Sequence, residues 1–246
     1  MKKYRILSCG DIHGRTFWKL IDINQYDYII FVGDYVDSFP YNDVQILGNL
    51  LDIIELKKTY PDKVVLLLGN HDIQYMFLDE GFGCSGFRPS MAATLKHVFK
   101  DNKRLFQMAF QINDYIWTHA GIADKWYDYN KKVINDFIEK FECENLADAF
   151  NKMMYTKENT ILHQVGIKRG GYHPAGGITW ADRYETSLNP FEGYHQIVGH
   201  TPIELITKFG VEKGSIKYID TLHRLESIKT LENIRLDDYF YVLDLE

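Results

Sequence analysis

The sequence predicts an α/β fold built on a parallel sheet, with a helical stretch and further strands after it. Three observations carry this. Short aliphatic and β-branched runs in the first third are each stopped by a glycine, the pattern of strands buried on both faces. A helix-period segment separates the second run from the third, which makes a βαβ unit and therefore parallel strands. Beyond about Ile122 the period turns helical, and strand signals return only near Gln196.

In chain order, the first three runs are Tyr4–Cys9, Tyr28–Val32 and Val64–Leu68, ending at Gly10, Gly33 and Gly69. Between the second and third, Asp43–Lys58 places Val44, Leu47, Leu51 and Ile54 at helical spacing. Its leading acid and its closing Lys57-Lys58 suit the helix dipole, and Pro61 comes just after the stop. Leu105–Ile112 and Tyr115–Thr118, joined by Asn113-Asp114, read as a hairpin. Further on, Ile134, Phe137, Ile138 and Phe141 form one helical stripe, and Asn145 is placed to cap a helix carrying Leu146, Phe150 and Met153. Gly166–Gly177, rich in glycine and basic residues, reads as loop. Gln196–Val198, Glu204–Phe209, Ile216–Ile219 and Tyr239–Leu243 carry strand signals. No linker divides the chain, which predicts a single domain over 1–246 with a helical insertion at about 122–165.

Hydrophobic residues make up 46% and charged residues 25% of the 246, the composition of a globular chain with a sizeable core. A net charge of −6 gives no broad electrostatic footprint for nucleic acid, so stable nucleic-acid binding is not expected. Cys9, Cys84 and Cys143 lie far apart without a CxxC pair, which argues against a disulfide framework or a structural zinc site. Met1-Lys2-Lys3 leads directly into a strand without the apolar core of a signal peptide, and no apolar run approaches membrane-spanning length. The expectation is a cytoplasmic protein with no membrane partner.

The chemistry lies in the residues immediately after each strand. Gly10-Asp11-Ile12-His13-Gly14 comes after the first, Gly33-Asp34-Tyr35-Val36-Asp37 after the second and Gly69-Asn70-His71-Asp72 after the third. His119-Ala120-Gly121 comes after the hairpin, and Gly199-His200-Thr201 after Ile197-Val198. In open α/β sheets ligands bind beyond the carboxyl ends of strands. Carboxylate oxygen, amide oxygen and imidazole nitrogen without thiolate suit manganese, iron, zinc or magnesium. Two such ions, about 3.5–4 Å apart, attract a phosphate dianion and lower the pKa of a bridging water.

The series GDIHG, GDYVD, GNHD, HAG and GHT resembles the calcineurin-like metallophosphoesterase superfamily, nearest the branch of serine/threonine protein phosphatases and bacterial diadenosine tetraphosphatases. The resemblance implies a four-layer α/β/β/α sandwich with mixed sheets and two divalent metal ions. Asp11 and His13 would hold the first ion, Asp34 would bridge, and Asn70, His119 and His200 would hold the second. His71 would protonate the leaving oxygen, oriented by Asp37, as a metal-bridging hydroxide attacks phosphorus. With 70–71 taken as extended, Asn70 faces metal while His71 faces substrate. Asp72 is placed to cap a short helix over Ile73–Leu78.

Two departures bear on the substrate. Ser38-Phe39 stand where the protein phosphatases carry Arg-Gly after GDxVD, so the phosphate-clamping arginine must come from elsewhere. Arg88 and Arg183 are the candidates, since guanidinium suits bidentate phosphate binding. Arg183 closes Trp180-Ala181-Asp182-Arg183, which is similar to a Trp-Ser-Asp-Pro stretch of the phosphatases. Gly199-His200-Thr201-Pro202 also lacks the second histidine of a GHxH motif, which favours phosphomonoester or nucleotide pyrophosphate hydrolysis. The partner would be a phosphorylated small molecule, a nucleotide or a phosphoprotein. The glycine-rich segments Gly81–Ser90 and Lys168–Gly177 would be substrate loops. The alternatives are a phosphodiesterase or nuclease of the same superfamily and a catalytically silent binding scaffold.

Overall fold

The computed structural model describes residues 3–227 and 235–245. Met1 and Lys2, on which the expectation about the N-terminus partly rests, lie outside the described residues. The strands are β1 (Tyr4–Cys9), β2 (Tyr28–Phe31), β3 (Val64–Leu67), β4 (Phe106–Gln107), β5 (Ala109–Ile112), β6 (Tyr115–Thr118), β7 (His195–Val198), β8 (Thr207–Val211), β9 (Gly214–Tyr218) and β10 (Tyr241–Leu245). The helices are α1 (Asp43–Thr59), α2 (Asn70–Met76), α3 (Ala92–Asp101), α4 (Asp124–Lys140), α5 (Leu146–Met153), α6 (Asn159–Leu162) and α7 (Arg183–Ser187). The chain forms two compact units: Met1–Phe106, Pro202–Ile206 and Ile219–Glu246 make the first, and Gln107–Thr201 and Thr207–Tyr218 the second.

The first unit is organised by a sheet of order β10-β1-β2-β3-β4. β1 pairs parallel with β2, Cys9 opposite Phe31, and β2 parallel with β3, Phe31 opposite Leu66. The carboxyl ends of three neighbouring strands therefore finish level with one another. β10 runs antiparallel to β1 and makes the sheet mixed. Every residue of β3 is buried, as are the last four of β1, which explains the unbroken apolar runs.

Helix α1 starts and stops as its sequence requires. The Asn42 side chain accepts from Gln45 N–H while Gln45 reaches back to Asn42 N–H, a capping box. Its buried face differs from the expected stripe. Ile46, Leu50, Ile53 and Ile54 are buried, whereas Val44 is 81% and Leu51 45% exposed. The helix carries two overlapping apolar stripes at i, i+3/i+4 spacing, and tertiary packing chooses between them.

The second unit holds a mixed sheet of order β5-β6-β7-β9-β8, with β6, β7 and β9 parallel and antiparallel strands at both edges. Asn113-Asp114 forms the expected hairpin turn, with Ile112 opposite Tyr115. The run Leu105–Ile112 is nevertheless not one strand. Asn151 Oδ1 accepts from both Met108 N–H (2.7 Å) and Ala109 N–H (3.0 Å), and these bonds replace a sheet ladder at the break between β4 and β5.

Helix α4 buries Trp126, Asn130, Ile134 and Phe137, leaving Phe141 40% exposed, so its inward stripe begins earlier than the sequence suggested. Asn145 caps α5 as expected, accepting from Asp148 N–H at 2.9 Å. No helix among the described residues is long and apolar enough to cross a membrane.

Candidate metal centre and active site

In the first unit the loops after β1, β2 and β3 carry the candidate residues to one sheet end. Asp11, Asp34, Asp37 and Asn70 are buried there, each at 5% exposure or less. The loops are tied together through the backbone: Ile12 and His13 N–H both donate to Asp34 C=O, at 3.1 and 2.7 Å. Asp72 completes the tie. It caps the helix as expected, but from the third residue of α2, which begins at Asn70, rather than from before it. Its carboxylate accepts from Gly69 N–H (2.9 Å), Asp34 N–H (2.7 Å) and Tyr35 N–H (2.9 Å), so a buried acid fixes the Asp34 loop against the start of α2.

The same helix corrects the extended geometry expected for 70–71. Successive helical side chains diverge by about 100°, and this turn aims Asn70 and His71 differently. His71 N–H donates to Asp34 Oδ1 (3.0 Å). Gly69 is obligatory here, because a Cβ would collide with the same Asp34 oxygen.

The nitrogen that His13 offers is fixed by its surroundings. Its Nδ1 lies 2.8 Å from Val36 C=O. A carbonyl can only accept, so Nδ1 carries the proton and Nε2 keeps a lone pair. That Nε2 faces Asp34 Oδ2 at 3.7 Å. Donor atoms of His13, Asp34 and His71 all fall within 4.8 Å of one another, a group able to hold a metal ion. The buried carboxylates of Asp11 and Asp34 and this tautomer of His13 thus fit a divalent cation.

His71 is paired with Asp37: Nδ1 donates to Asp37 Oδ2 at 3.0 Å. Tyr75 O–H donates to the other carboxylate oxygen (2.5 Å), and Gln74 Nε2 also donates to Oδ2. Burial pulls the His71 pKa down, but the Asp34 carboxylate, the Asp37 hydrogen bond and the Cys84 thiol outweigh it and push the value up to about 12. The ring is therefore held as imidazolium, a proton donor.

The second unit brings its two candidates together in the same manner, after the parallel pair β6 and β7. Gly199 N–H donates to His119 C=O (2.8 Å), and His119 Nε2 lies 3.1 Å from His200 Nδ1. Trp180 packs its ring edge-on to His200 at 5.8 Å. Within Lys168–Gly177, Arg169 donates to Thr201 Oγ1 (2.8 Å) and pairs with Asp182 (2.8 Å), which pins this loop beside His200.

Backbone strain marks the same residues. Six described non-glycine residues have positive φ, and four of them are His13 (43°), Asp34 (53°), Asp37 (56°) and His200 (65°). Left-handed backbone costs such a residue about 1–3 kcal/mol and persists where surrounding structure enforces it, typically at functional sites.

Neither candidate arginine is a bare clamp. Arg88 lines the cleft beside His71, but its guanidinium is held by Asp43, by Ser38 C=O and by Tyr41 C=O (3.0 Å). Arg183 lies over the rings of Phe209 (5.2 Å) and Tyr218 (5.6 Å) in the second unit. Sequence reasoning missed Arg15, which stands directly after GDIHG. It lines the cleft at 8% exposure, with Nε on Glu226 (2.7 Å) and Nη1 on Asp11 C=O (3.3 Å). It also missed Gln74, Tyr75 and Cys84. The first two lie at i+3 and i+4 from His71 and become visible once 70–76 is read as helix.

A mixed α/β frame that delivers carboxylates and imidazoles to strand ends defines an α/β protein with candidate metal-ligating groups. Residues 4–219 match the calcineurin-like phosphoesterase model, and the chain belongs to that family. It is 24% identical over 176 residues to a symmetrical bis(5'-nucleosyl)-tetraphosphatase of Nitrosospira multiformis, covering 64% of this chain and 60% of the relative. It is 25% identical over 199 residues to the catalytic subunit of serine/threonine-protein phosphatase 4 of Saccharomyces cerevisiae, covering 61% and 63%. The chain thus spans less than two thirds of either relative. Among solved structures, a cold-active protein tyrosine phosphatase of a psychrophilic Shewanella superposes with a TM-score of 0.50 at 19% identity, covering 88% of this chain and 71% of that one. At that identity the likeness shows the fold alone.

Proposed function

We propose that the protein is a dinuclear-metal phosphoesterase acting on phosphomonoesters or nucleotide pyrophosphates. The observation that carries this is the His71–Asp37 pair at 3.0 Å, set among donor groups of His13 and Asp34 at the ends of parallel strands. By the family motifs the ligands would be Asp11, His13, Asp34 and Asn70 of the first unit and His119 and His200 of the second. Divalent cations held there would activate water as a nucleophile and neutralise phosphate charge.

The chain's own residues supply the rest. His71, hydrogen-bonded through Nδ1 to Asp37, donates the proton that the departing oxygen needs. Asp37 holds the ring through Nδ1, leaving Nε2–H to face the substrate. Asp37 is itself held by Tyr75 and Gln74, so the ring cannot turn away. Arg15 and Arg88 give positive charge to a cleft of about 400 Å³ that His13 and His71 also line. Phe39 lines the same cleft while 96% exposed, a free aromatic face that suits a nucleobase or another flat leaving group.

The test is hydrolysis of p-nitrophenyl phosphate by protein loaded in turn with manganese, iron, nickel and cobalt. Turnover is expected with at least one. Absence of turnover with all four counts against the proposal. Faster hydrolysis of bis-p-nitrophenyl phosphate than of the monoester would move the protein to the phosphodiesterases.

A further inference from the structure

Beside the proposed centre lies a third group of donors with different chemistry. Donor atoms of Asp37, His71 and Cys84 all fall within 4.8 Å of one another, and all three residues are buried or half-buried. They come from three separate segments: the loop after β2, the first turn of α2 and the glycine-rich loop Gly81–Ser90. Gln74 bolts the last of these down. Its Oε1 accepts from Cys84 N–H (3.1 Å) while its Nε2 donates to Asp37. Tyr75 O–H holds the other Asp37 oxygen and also accepts from Arg88 N–H (2.8 Å) at the far end of that loop. Gly86 supplies the left-handed turn of this loop, with a φ of 80° that L side chains rarely adopt, and its Cα side lies in van der Waals reach of Asp37 and His71. One carboxylate, one imidazole and one thiol are thus held together by outer partners, as in built metal sites.

The set contains sulfur, which the six proposed ligands lack. Thiolate favours zinc and related soft ions over manganese or magnesium. Tetrahedral zinc, with bonds of about 2.0–2.3 Å, spaces its donors by roughly 3.3–3.7 Å, within what this group can reach. The carboxylate and a thiolate would balance the charge of the ion, and ligation would displace the protons of the thiol and the imidazole. The fourth position would face the cleft, which Asp37, His71 and Gly86 line.

We propose that Asp37, His71 and Cys84 form an inhibitory site for zinc that takes His71 out of service as a proton donor. The inhibitory part rests on the reading of His71 as general acid; the metal site itself does not. It makes zinc at this third group a brake on the manganese-loaded enzyme.

Cobalt serves as a spectroscopic stand-in. Manganese-loaded protein titrated with cobalt is expected to develop a thiolate-to-cobalt charge-transfer band that zinc abolishes, and Cys84→Ser and Cys84→Ala proteins to show none. Zinc should inhibit p-nitrophenyl phosphate hydrolysis by the parent protein at concentrations at least roughly tenfold below those needed for either variant. Absence of the band in the parent, its persistence in both variants, or equal zinc sensitivity of all three proteins overturns the proposal. Zinc replacing manganese at the six proposed ligands would produce that last result. If the protein hydrolyses no phosphoester, the band still reports the site, so loss of the functional reading and loss of this one are told apart.

Discussion

His71 is surrounded by groups that favour its charged form, as the proposed general acid requires. Replacing it by asparagine should lower turnover by about 10²–10⁴, the usual worth of a general acid. The loss should be largest for alkyl phosphates and smallest for p-nitrophenyl phosphate, whose leaving group needs little protonation. Comparing kcat on the two substrates checks this. Tyr75→Phe removes one hydrogen bond to Asp37 while Gln74 and His71 keep theirs. At about 0.5–1.5 kcal/mol for such a bond, kcat should fall about two- to tenfold with KM little changed. The ligand types were legible in the sequence because each stands just beyond a strand, most of them behind a stopping glycine, and the His71–Asp37 pairing was implied by the family motifs. Cys84 was not, because the fold of Gly81–Ser90 is set by Gln74, Tyr75 and Arg88 rather than by any periodicity.

At the scale of elements, α6 carries a buried histidine with a measurable consequence. His163 hydrogen-bonds Thr179 Oγ1 (2.9 Å) and Asn159 Oδ1 (3.0 Å), and burial pulls its pKa down to about 3. The unfolded chain takes up a proton there below about pH 6.5, while the folded chain does not. Its contribution to stability is therefore complete above that pH and is lost as pH falls toward 3, by about 1.4 kcal/mol per unit. His163→Gln should flatten the pH dependence of the unfolding free energy between about pH 6.5 and 4, measured by urea denaturation. A parallel shift without a change of slope would contradict this. Asn145→Ala should cost about 1 kcal/mol through loss of the α5 cap, read from the same denaturation curves. That cap was visible from sequence, as was the α1 start. The inward faces of α1 and α4 were not, because each helix has more apolar positions than one stripe needs, and the choice is made by packing. A short helix was expected over Ile73–Leu78, but its start at Asn70 was not, because that N-terminus is organised by Asp72 reaching loops distant in sequence.

For the whole molecule, the parallel core of the first sheet was written in the glycine-stopped runs and the β5–β6 edge of the second in Asn113-Asp114, whereas the other edges were not. β10 joins β1 from the far end of the chain, and a pairing of that range leaves no local pattern. Metal binding should register globally. Protein stripped by a chelator should regain about 2.7 kcal/mol of stability at a metal concentration a hundredfold above Kd, seen as a higher Tm on adding manganese. The central claim is that Asp34 holds the manganese of the hydrolytic centre while His71 serves there as the acid, and the metal content of the two asparagine variants tests it most directly. After manganese loading and gel filtration, elemental analysis should find parent-like metal in His71→Asn and a clear deficit in Asp34→Asn. Full occupancy of Asp34→Asn, or loss of metal from His71→Asn alone, would contradict it.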